Sequence, residues 1–161
     1  MMPSNPTRNA RSAEGGVLDE TNVRLLAELQ SDARLSLAEL GRRVGLSSPA
    51  VAERLGRLEG AGVIRGYRAE VDPRALGYTL GVLIRSRPAP RQLAAVAQLA
   101  RDTPEIVECH RVTGDDCYVM TAWVRDVTHL EEVIDAFAAY GQTTTSIMQS
   151  SPVPRRSVDP L

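Results

Sequence analysis

Residues 36–72 read SLAELGRRVGLSSPAVAERLGRLEGAGVIRGYRAEVD, and helix punctuation divides them. Ser36-Leu37-Ala38-Glu39 has the form of a capping box, in which the serine hydroxyl accepts from the Glu39 amide and the carboxylate reaches back. Leu35 and Leu40 flank it as a hydrophobic staple. A second start falls at Ser47, with Leu46 and Val51 in the same staple relation. Pro49 sits in the first turn, where its missing amide hydrogen costs nothing. Val44-Gly45-Leu46 ends the first helix and supplies a tight turn. After the second helix, VIRGYRAEVD reads as a strand. Two short amphipathic helices about a glycine turn, then a strand, is the layout of a winged helix-turn-helix.

Working outward, a further helix precedes the pair, from an Asp19 cap to about Leu29, with Leu25, Leu26 and Leu29 as its apolar stripe. In the helix that starts at Ser47, residues Val51, Leu55 and Leu58 repeat at helical spacing and should face a core. Ser48, Ala50, Glu53, Arg54 and Arg57 then share the opposite face. Ser47, Ser48 and the helix N-terminus suit a phosphate. Arg54 and Arg57 suit guanine edges or phosphates, and Glu53 suits a cytosine amine. Residues 34–68 carry seven arginines against three glutamates, a net charge of +4. Ser36, Arg42, Arg43 and Arg65 complete the set expected at DNA. The competing reading is a small helical bundle with ordinary surface arginines; the local charge and the caps in register favour DNA.

Composition sets bounds. The 161 residues have a net charge of −1 and a pI near 6.1, so any DNA binding must come from a local patch and fall steeply with salt. All 19 basic residues are arginine, which removes Schiff-base and lysine general-base chemistry. No apolar run approaches membrane-spanning length and the N-terminus lacks a signal-peptide core, so a cytoplasmic protein without membrane contact is expected. Cys109, Cys117, His110 and His129 are the only soft-ligand or nucleophile candidates. Cys109 and His110 are neighbours on a strand and point to opposite faces, so the spacing is not that of zinc. Ordinary packing is expected of them, with no metal, no catalytic residue, no cofactor and no disulfide.

The second half has its own order: strand (TLGVLIRS), helix (residues 91–101), strand (IVECHRV), turn (TGDD), strand (CYVMTAWV), helix (residues 128–140), strand (TTSIMQS). The first helix carries Leu93, Val96, Ala97 and Ala100 as its stripe. The second carries Leu130, Val133, Ile134 and Phe137, with Thr128-x-x-Glu131 as a capping box. Two βαβ units in tandem interleave into a four-stranded antiparallel sheet with both helices on one side, a ferredoxin-like βαββαβ domain. The chain is therefore read as α+β: residues 1–16 a disordered tail, 17–70 a winged helix-turn-helix, 71–78 a hinge, 79–152 the ferredoxin-like domain and 153–161 a flexible tail. Arg8 and Arg11 are read as part of a solvated tail, with a basic arm on DNA as the alternative. Tyr118, Met120, Ala122 and Val124 point one way and Val119, Thr121 and Trp123 the other. Both faces are apolar, yet the helices cover only one. A second copy is the simplest cover for the other, and a dimer also pairs the recognition helices on a pseudo-palindromic site.

At this point the chain resembles the Lrp/AsnC (feast/famine) family of transcription regulators, from about Val17 to Ser151. The resemblance is carried by LDETNVRLLAELQSDARLSLAELGRRVGLSSPAVAERLGRLEGAGVIRGYRAEVDPRALG and by VECHRVTGDDCYVM. It implies dimers assembled further into tetramers or octamers, small amino-acid effectors bound between sensing domains, and double-stranded DNA read by the helix starting at Ser47. The family's effector loop reads Gly-x-x-Asp-Tyr. Gly114 and Tyr118 match, but Cys117 stands at the position of that Asp, with carboxylates at Asp115 and Asp116 instead. The resemblance thus implies effector contacts from Thr113, Gly114, Asp115, Asp116, Cys117 and Tyr118. Thr143, Thr144 and Thr145 open the last strand, where the family also lines the pocket; Thr143 and Thr145 are the candidates there. Two rivals remain: a ferredoxin-like dimeric enzyme, which needs a titratable pair such as His110 and Asp115 close together, and an assembly module whose helix-turn-helix docks protein.

Overall fold

The computed structural model describes residues 16–158. The expected disordered segment, Arg8 and Arg11 included, lies outside the described residues but for its last position, as do the final three residues of the chain. Two compact units divide the chain. Of the described residues, one unit takes in those up to Ala69 and residues 155–158; the other is Glu70–Pro154, and the stretch expected as a hinge groups with it.

The first unit holds helices α1 (Glu20–Ser31), α2 (Leu37–Val44) and α3 (Ser48–Gly60). Each begins on the expected cap. Asp19 accepts from the Asn22 amide at 2.7 Å, Ser36 from Glu39 at 3.2 Å and Ser47 from Ala50 at 3.4 Å. Such caps contribute about 1 kcal/mol each by satisfying amides that have no intrahelical partner. Gly45 turns the chain at φ +78°, a conformation that glycine takes without steric cost. Its amide and that of Leu46 both donate to the Gly41 carbonyl at 2.8 Å. The expected core forms: Leu25, Leu29, Leu40, Val44, Val51, Leu55 and Leu58 are buried, with Leu26, Leu35, Leu46 and Ile64 packed against them.

Two local expectations fail here. The capping box at Ser36 is half made, because the Glu39 carboxylate turns away to Arg42 and Arg43. Residues 63–72 form no strand, so the wing is absent from the described residues. A strand needs a ladder partner, and this segment folds back on α3 instead. The Val63 and Ile64 amides both donate to the Leu58 carbonyl, at 2.9 and 3.1 Å, Ile64 packs on the core, and the Tyr67 hydroxyl donates to Glu59 at 2.8 Å.

The second unit opens with a 3₁₀ turn at Pro73–Leu76. It continues as β1 (Leu80–Pro88), α4 (Leu93–Asp102), β2 (Ile106–Arg111), β3 (Tyr118–Val124), α5 (Val127–Ala138) and β4 (Gly141–Ile147). The sheet is antiparallel throughout, in the order β2-β3-β1-β4. Both helices lie on one face: Val96 and Ala100 from α4 and Leu130, Val133 and Phe137 from α5 share a core with Val82, Ile84, Met120 and Val124. This is the expected ferredoxin-like arrangement. Boundaries move, however. Helix α5 is capped by Asp126, which accepts from the His129 amide at 2.8 Å, and not by Thr128. Strand β4 starts three residues earlier than TTSIMQS, at Gly141, whose φ of +155° and closeness to the β1 backbone no side chain tolerates: a β-carbon would lie 2.4 Å from the Arg87 carbonyl oxygen.

The other face of the sheet has the alternation expected of it. Leu83 is 39 % exposed, while Val119, Thr121 and Trp123 are half-buried. Gly81 leaves the space that the Trp123 ring and Met148 occupy. One end of this face is covered by the unit's own 3₁₀ turn, with the Arg74 guanidinium 6.0 Å from the Trp123 ring centroid, a cation–π distance.

Candidate DNA interface and effector loop

On α3 the buried stripe of Val51, Leu55 and Leu58 fixes which side chains point outward. Ser47 and Ser48 stand at its N-terminus and Ala50 lies half-buried one turn in. Glu53 and Arg57 are two-thirds exposed and paired with each other across one helical turn. An exposed pair of this spacing holds only a few tenths of a kcal/mol and opens readily. Arg54 does not join them. Its Nη1 donates to Asp19 Oδ2 at 2.5 Å and to Asn22 Oδ1 at 3.1 Å, so the side chain leans on the start of α1 and is 28 % exposed.

The remaining expected residues fall on α2 and beyond. Arg42 and Arg43 both engage Glu39, and Arg43 also reaches Glu28 of α1 at 2.7 Å. Ser36, Arg65 and Arg68 are exposed. The two guanidiniums, Arg42 first, hold the Glu39 carboxyl down from an ordinary 4.5 to about 2, while Glu28 and then Glu39 push Arg43 further up. A carboxyl whose folded value is depressed contributes stability above its unfolded value and loses it as pH falls through the folded one. The first unit of wild type should therefore lose stability relative to Glu39→Gln as pH drops from about 4.5 towards 2, with full advantage at neutral pH. Chemical denaturation followed by helicity across that range checks this; parallel profiles for the two chains would overturn it.

Gly41 is a residue the sequence reading passed over. A β-carbon there would lie 2.4 Å from the Leu46 carbonyl oxygen, so the turn between α2 and α3 closes against the bare glycine. The available signal was a glycine inside a helical pattern, which marks close backbone approach.

The candidate effector loop joins β2 to β3. Gly114 has φ +106°. The Val112 amide donates to the Cys117 carbonyl and the Cys117 amide to the Ser86 carbonyl, both at 3.0 Å. Arg87 Nε donates to the Asp115 carbonyl at 2.8 Å, leaving the Asp115 carboxylate almost fully exposed. Thr113 is exposed and Asp116 half-buried. Thr143 and Thr145 pair with Ser86 and Ile84, so they lie on the helix-covered face, half-buried. The loop and the start of β4 thus lie at the same end of the sheet, on either side of β1. Tyr118 is the exception. It is buried, and its hydroxyl donates to the Leu93 carbonyl at 3.1 Å. Strand alternation turns the ring into the core, on the same face as Thr143, which also pairs with Ser86. Ser86 was not anticipated: it is fully buried and its hydroxyl has no partner among the described residues.

The soft-ligand candidates are dispersed. Cys109 pairs with Met120 on the helix side, and burial pushes its thiol up, the opposite of an activated nucleophile. His110 faces Glu108 at 3.9 Å and Asp115 faces Arg87 at 3.6 Å, so the pair an enzyme would need is not formed. His129 is buried. Its Nδ1 accepts from the Arg125 amide at 3.3 Å and from Arg125 Nε at 3.1 Å, which leaves Nε2 to donate to Glu105 at 3.0 Å.

Residues 18–59 match the model of the AsnC-type helix-turn-helix domain, and residues 79–158 that of the Lrp/AsnC ligand binding domain. The chain belongs to the Lrp/AsnC family of transcriptional regulators. Members of this family are regulators and not enzymes. This Lrp/AsnC regulator is 38 % identical over 134 residues to YezC of Bacillus subtilis, an uncharacterized HTH-type transcriptional regulator, covering 83 % of this chain and 95 % of YezC. Its fold is that of the solved B. subtilis LrpC, at 30 % identity and a TM-score of 0.81, covering 86 % of this chain and 99 % of LrpC. It is also similar to the feast or famine regulatory protein Rv3291c of M. tuberculosis, solved in complex with L-methionine. Identity there is 31 % and the TM-score 0.84, with 89 % of this chain and 99 % of that chain covered. No helix among the described residues is long and apolar enough to cross a membrane.

Proposed function

We propose that the regulator acts in the cytoplasm as a dimer, or as a tetramer or octamer built from dimers, and reads double-stranded DNA with α3 of paired copies. The observation that carries the DNA reading is the outward face of α3, presented by a helix whose cap, turn and buried stripe are all in place. Ser47 and Ser48 at the helix N-terminus, with Ser36 at that of α2, bind phosphate oxygens. Glu53 and Arg57 exchange their mutual pair for base edges, with Ala50 against the groove floor. Arg42, Arg43 and Arg65 contribute phosphate attraction.

The second unit takes a small amino acid. Support comes from the ligand-binding family model and from the L-methionine held by a regulator of the same fold. Gly114 shapes the loop and Thr113 and Cys117 flank it. Asp115 or Asp116 meets the effector ammonium in place of the family's aspartate, and Thr143 and Thr145 lie across β1. An effector shifts assembly or the spacing of DNA heads only by binding one state more tightly, with couplings of roughly 1–3 kcal/mol.

The test is retardation of a duplex carrying the chain's own upstream region, with and without each of the common amino acids. Wild type should retard it at low salt, with an affinity that falls steeply as salt rises, and one or more amino acids should change the pattern. Arg57→Ala should weaken binding by about 1–3 kcal/mol. Absence of retardation, or a flat salt response, would sink the DNA reading and favour a protein-docking helix-turn-helix.

A further inference from the structure

Arg54 lies on the recognition helix, yet its guanidinium is engaged inside the molecule. Asp19 serves two partners at once. Oδ1 caps α1 by accepting from the Asn22 amide at 2.7 Å, and Oδ2 accepts from Arg54 at 2.5 Å. Asn22 is buried; its side-chain carbonyl accepts from Arg54 at 3.1 Å and its amide group donates to the Val17 carbonyl at 2.6 Å. Both Asp19 carboxylate oxygens and both polar groups of the Asn22 side chain thus have partners. The Arg54 hydrogen bond, ahead of the Asn22 amide, also holds the Asp19 carboxyl below its ordinary value. The contrast with Arg57 is direct: one turn along the same helix, that side chain is 66 % exposed and, among the described residues, bound only to Glu53.

We propose that Arg54 is a positioning residue for DNA reading, setting the angle of α3 against the capped start of α1 through Asp19 and Asn22, and that it does not touch DNA. This rests on α3 being the reading helix. A recognition helix must place several side chains against base edges to within a fraction of an ångström. The buried stripe of Val51, Leu55 and Leu58 stops it leaving the core but restrains rotation about its own axis weakly. One guanidinium nitrogen held by two oxygens at the start of a neighbouring helix adds a directional restraint.

The two roles predict opposite results for Asp19→Asn. Asparagine caps a helix as well as aspartate does, so α1 survives the change. If Arg54 contacts DNA, removing the competing carboxylate frees the guanidinium and deletes a negative charge, and binding tightens. If Arg54 positions α3, the same substitution weakens binding. The experiment measures affinity of the full-length chain for its own upstream duplex and for a scrambled duplex across a salt series, alongside helicity to confirm folding. Expected for Asp19→Asn and for Arg54→Gln is a similar loss on the upstream duplex, about 5- to 10-fold, with the double variant no worse than either. Affinity for the scrambled duplex and the salt slope should stay at wild-type values, since no phosphate contact is lost. Loss of folding alone would lower both affinities together. Tighter or unchanged binding by Asp19→Asn, or a slope reduced by about one unit in Arg54→Gln, would overturn the assignment while leaving the DNA reading intact. A wild-type chain that retards neither duplex overturns the reading itself, and this inference with it.

Discussion

Gly41→Val should abolish DNA retardation while leaving the second unit folded. Even a β-carbon at Gly41 would sit 2.4 Å from the Leu46 carbonyl oxygen and 3.3 Å from its carbon, and valine adds two methyl groups beyond it. The obstacle is backbone, which cannot swing aside as a flexible side chain would. The same glycine's own carbonyl accepts from Gly45 and Leu46, so the turn is tied to this point from both directions. Overpacking typically costs about 1–3 kcal/mol, and an immovable neighbour puts this site at or above the upper end. A helical unit of this size has only about 3–8 kcal/mol to lose. Helicity and limited proteolysis should report a first unit that is partly unfolded at 25 °C, with the second unit's cooperative transition retained. Wild-type retardation by Gly41→Val would show that the turn can widen and that the close approach is immaterial.

The second large effect is expected at Leu83→Glu, read as assembly. Leu83 lies near the middle of the sheet face that α4 and α5 leave uncovered, across from Thr121 and clear of the 3₁₀ turn that shelters Trp123. If two copies close over this face, each carries one introduced carboxylate into the contact in place of an apolar side chain, with Arg85 on the same face of β1. A buried charge costs roughly 3 kcal/mol or more when unpaired and less where Arg85 meets it, so two per dimer raise the dissociation constant by up to about 10⁴-fold. Light scattering at micromolar concentration should find wild type as a dimer or a multiple of it and Leu83→Glu as a monomer that keeps wild-type secondary structure. An unchanged mass would mean that this face is not where copies meet.

What was legible in the sequence was a set of caps, a turn and stripes, each decided within a few residues. Asp19, Ser36 and Ser47 cap by bonds of three residues' span, Gly45 turns by its own backbone freedom, and the stripes of α3 and β3 follow from the periods of helix and strand. Competition between local partners was not legible, and neither were long-range choices. Glu39 looked free to return to Ser36, but two arginines one turn on, and Glu28 behind Arg43, offered a stronger charged alternative. Arg54 shared a face with Arg57 on paper; its partner is 35 residues away and becomes a neighbour only when α1 packs. The strand expected after α3 had the right residues and no ladder to join. At the effector loop, the motif aligned Tyr118 with binding residues, while the alternation that buries Met120 and Ala122 also buries Tyr118.

The placing of Tyr118 has a consequence for how such a reader changes over generations. Its hydroxyl on the Leu93 carbonyl pins the base of the loop to the start of α4, inside the core, whereas Asp115 three residues earlier is almost wholly in solvent. The anchor and the tip are therefore independent under mutation. If the loop meets an effector as proposed, substitutions at the tip alter what chemistry meets it at little cost to folding, and substitutions at the anchor cost folding without altering that chemistry. Cys117 sits at the boundary between the two. On that reading, a lineage can retune there which molecule is heard without rebuilding the domain that listens.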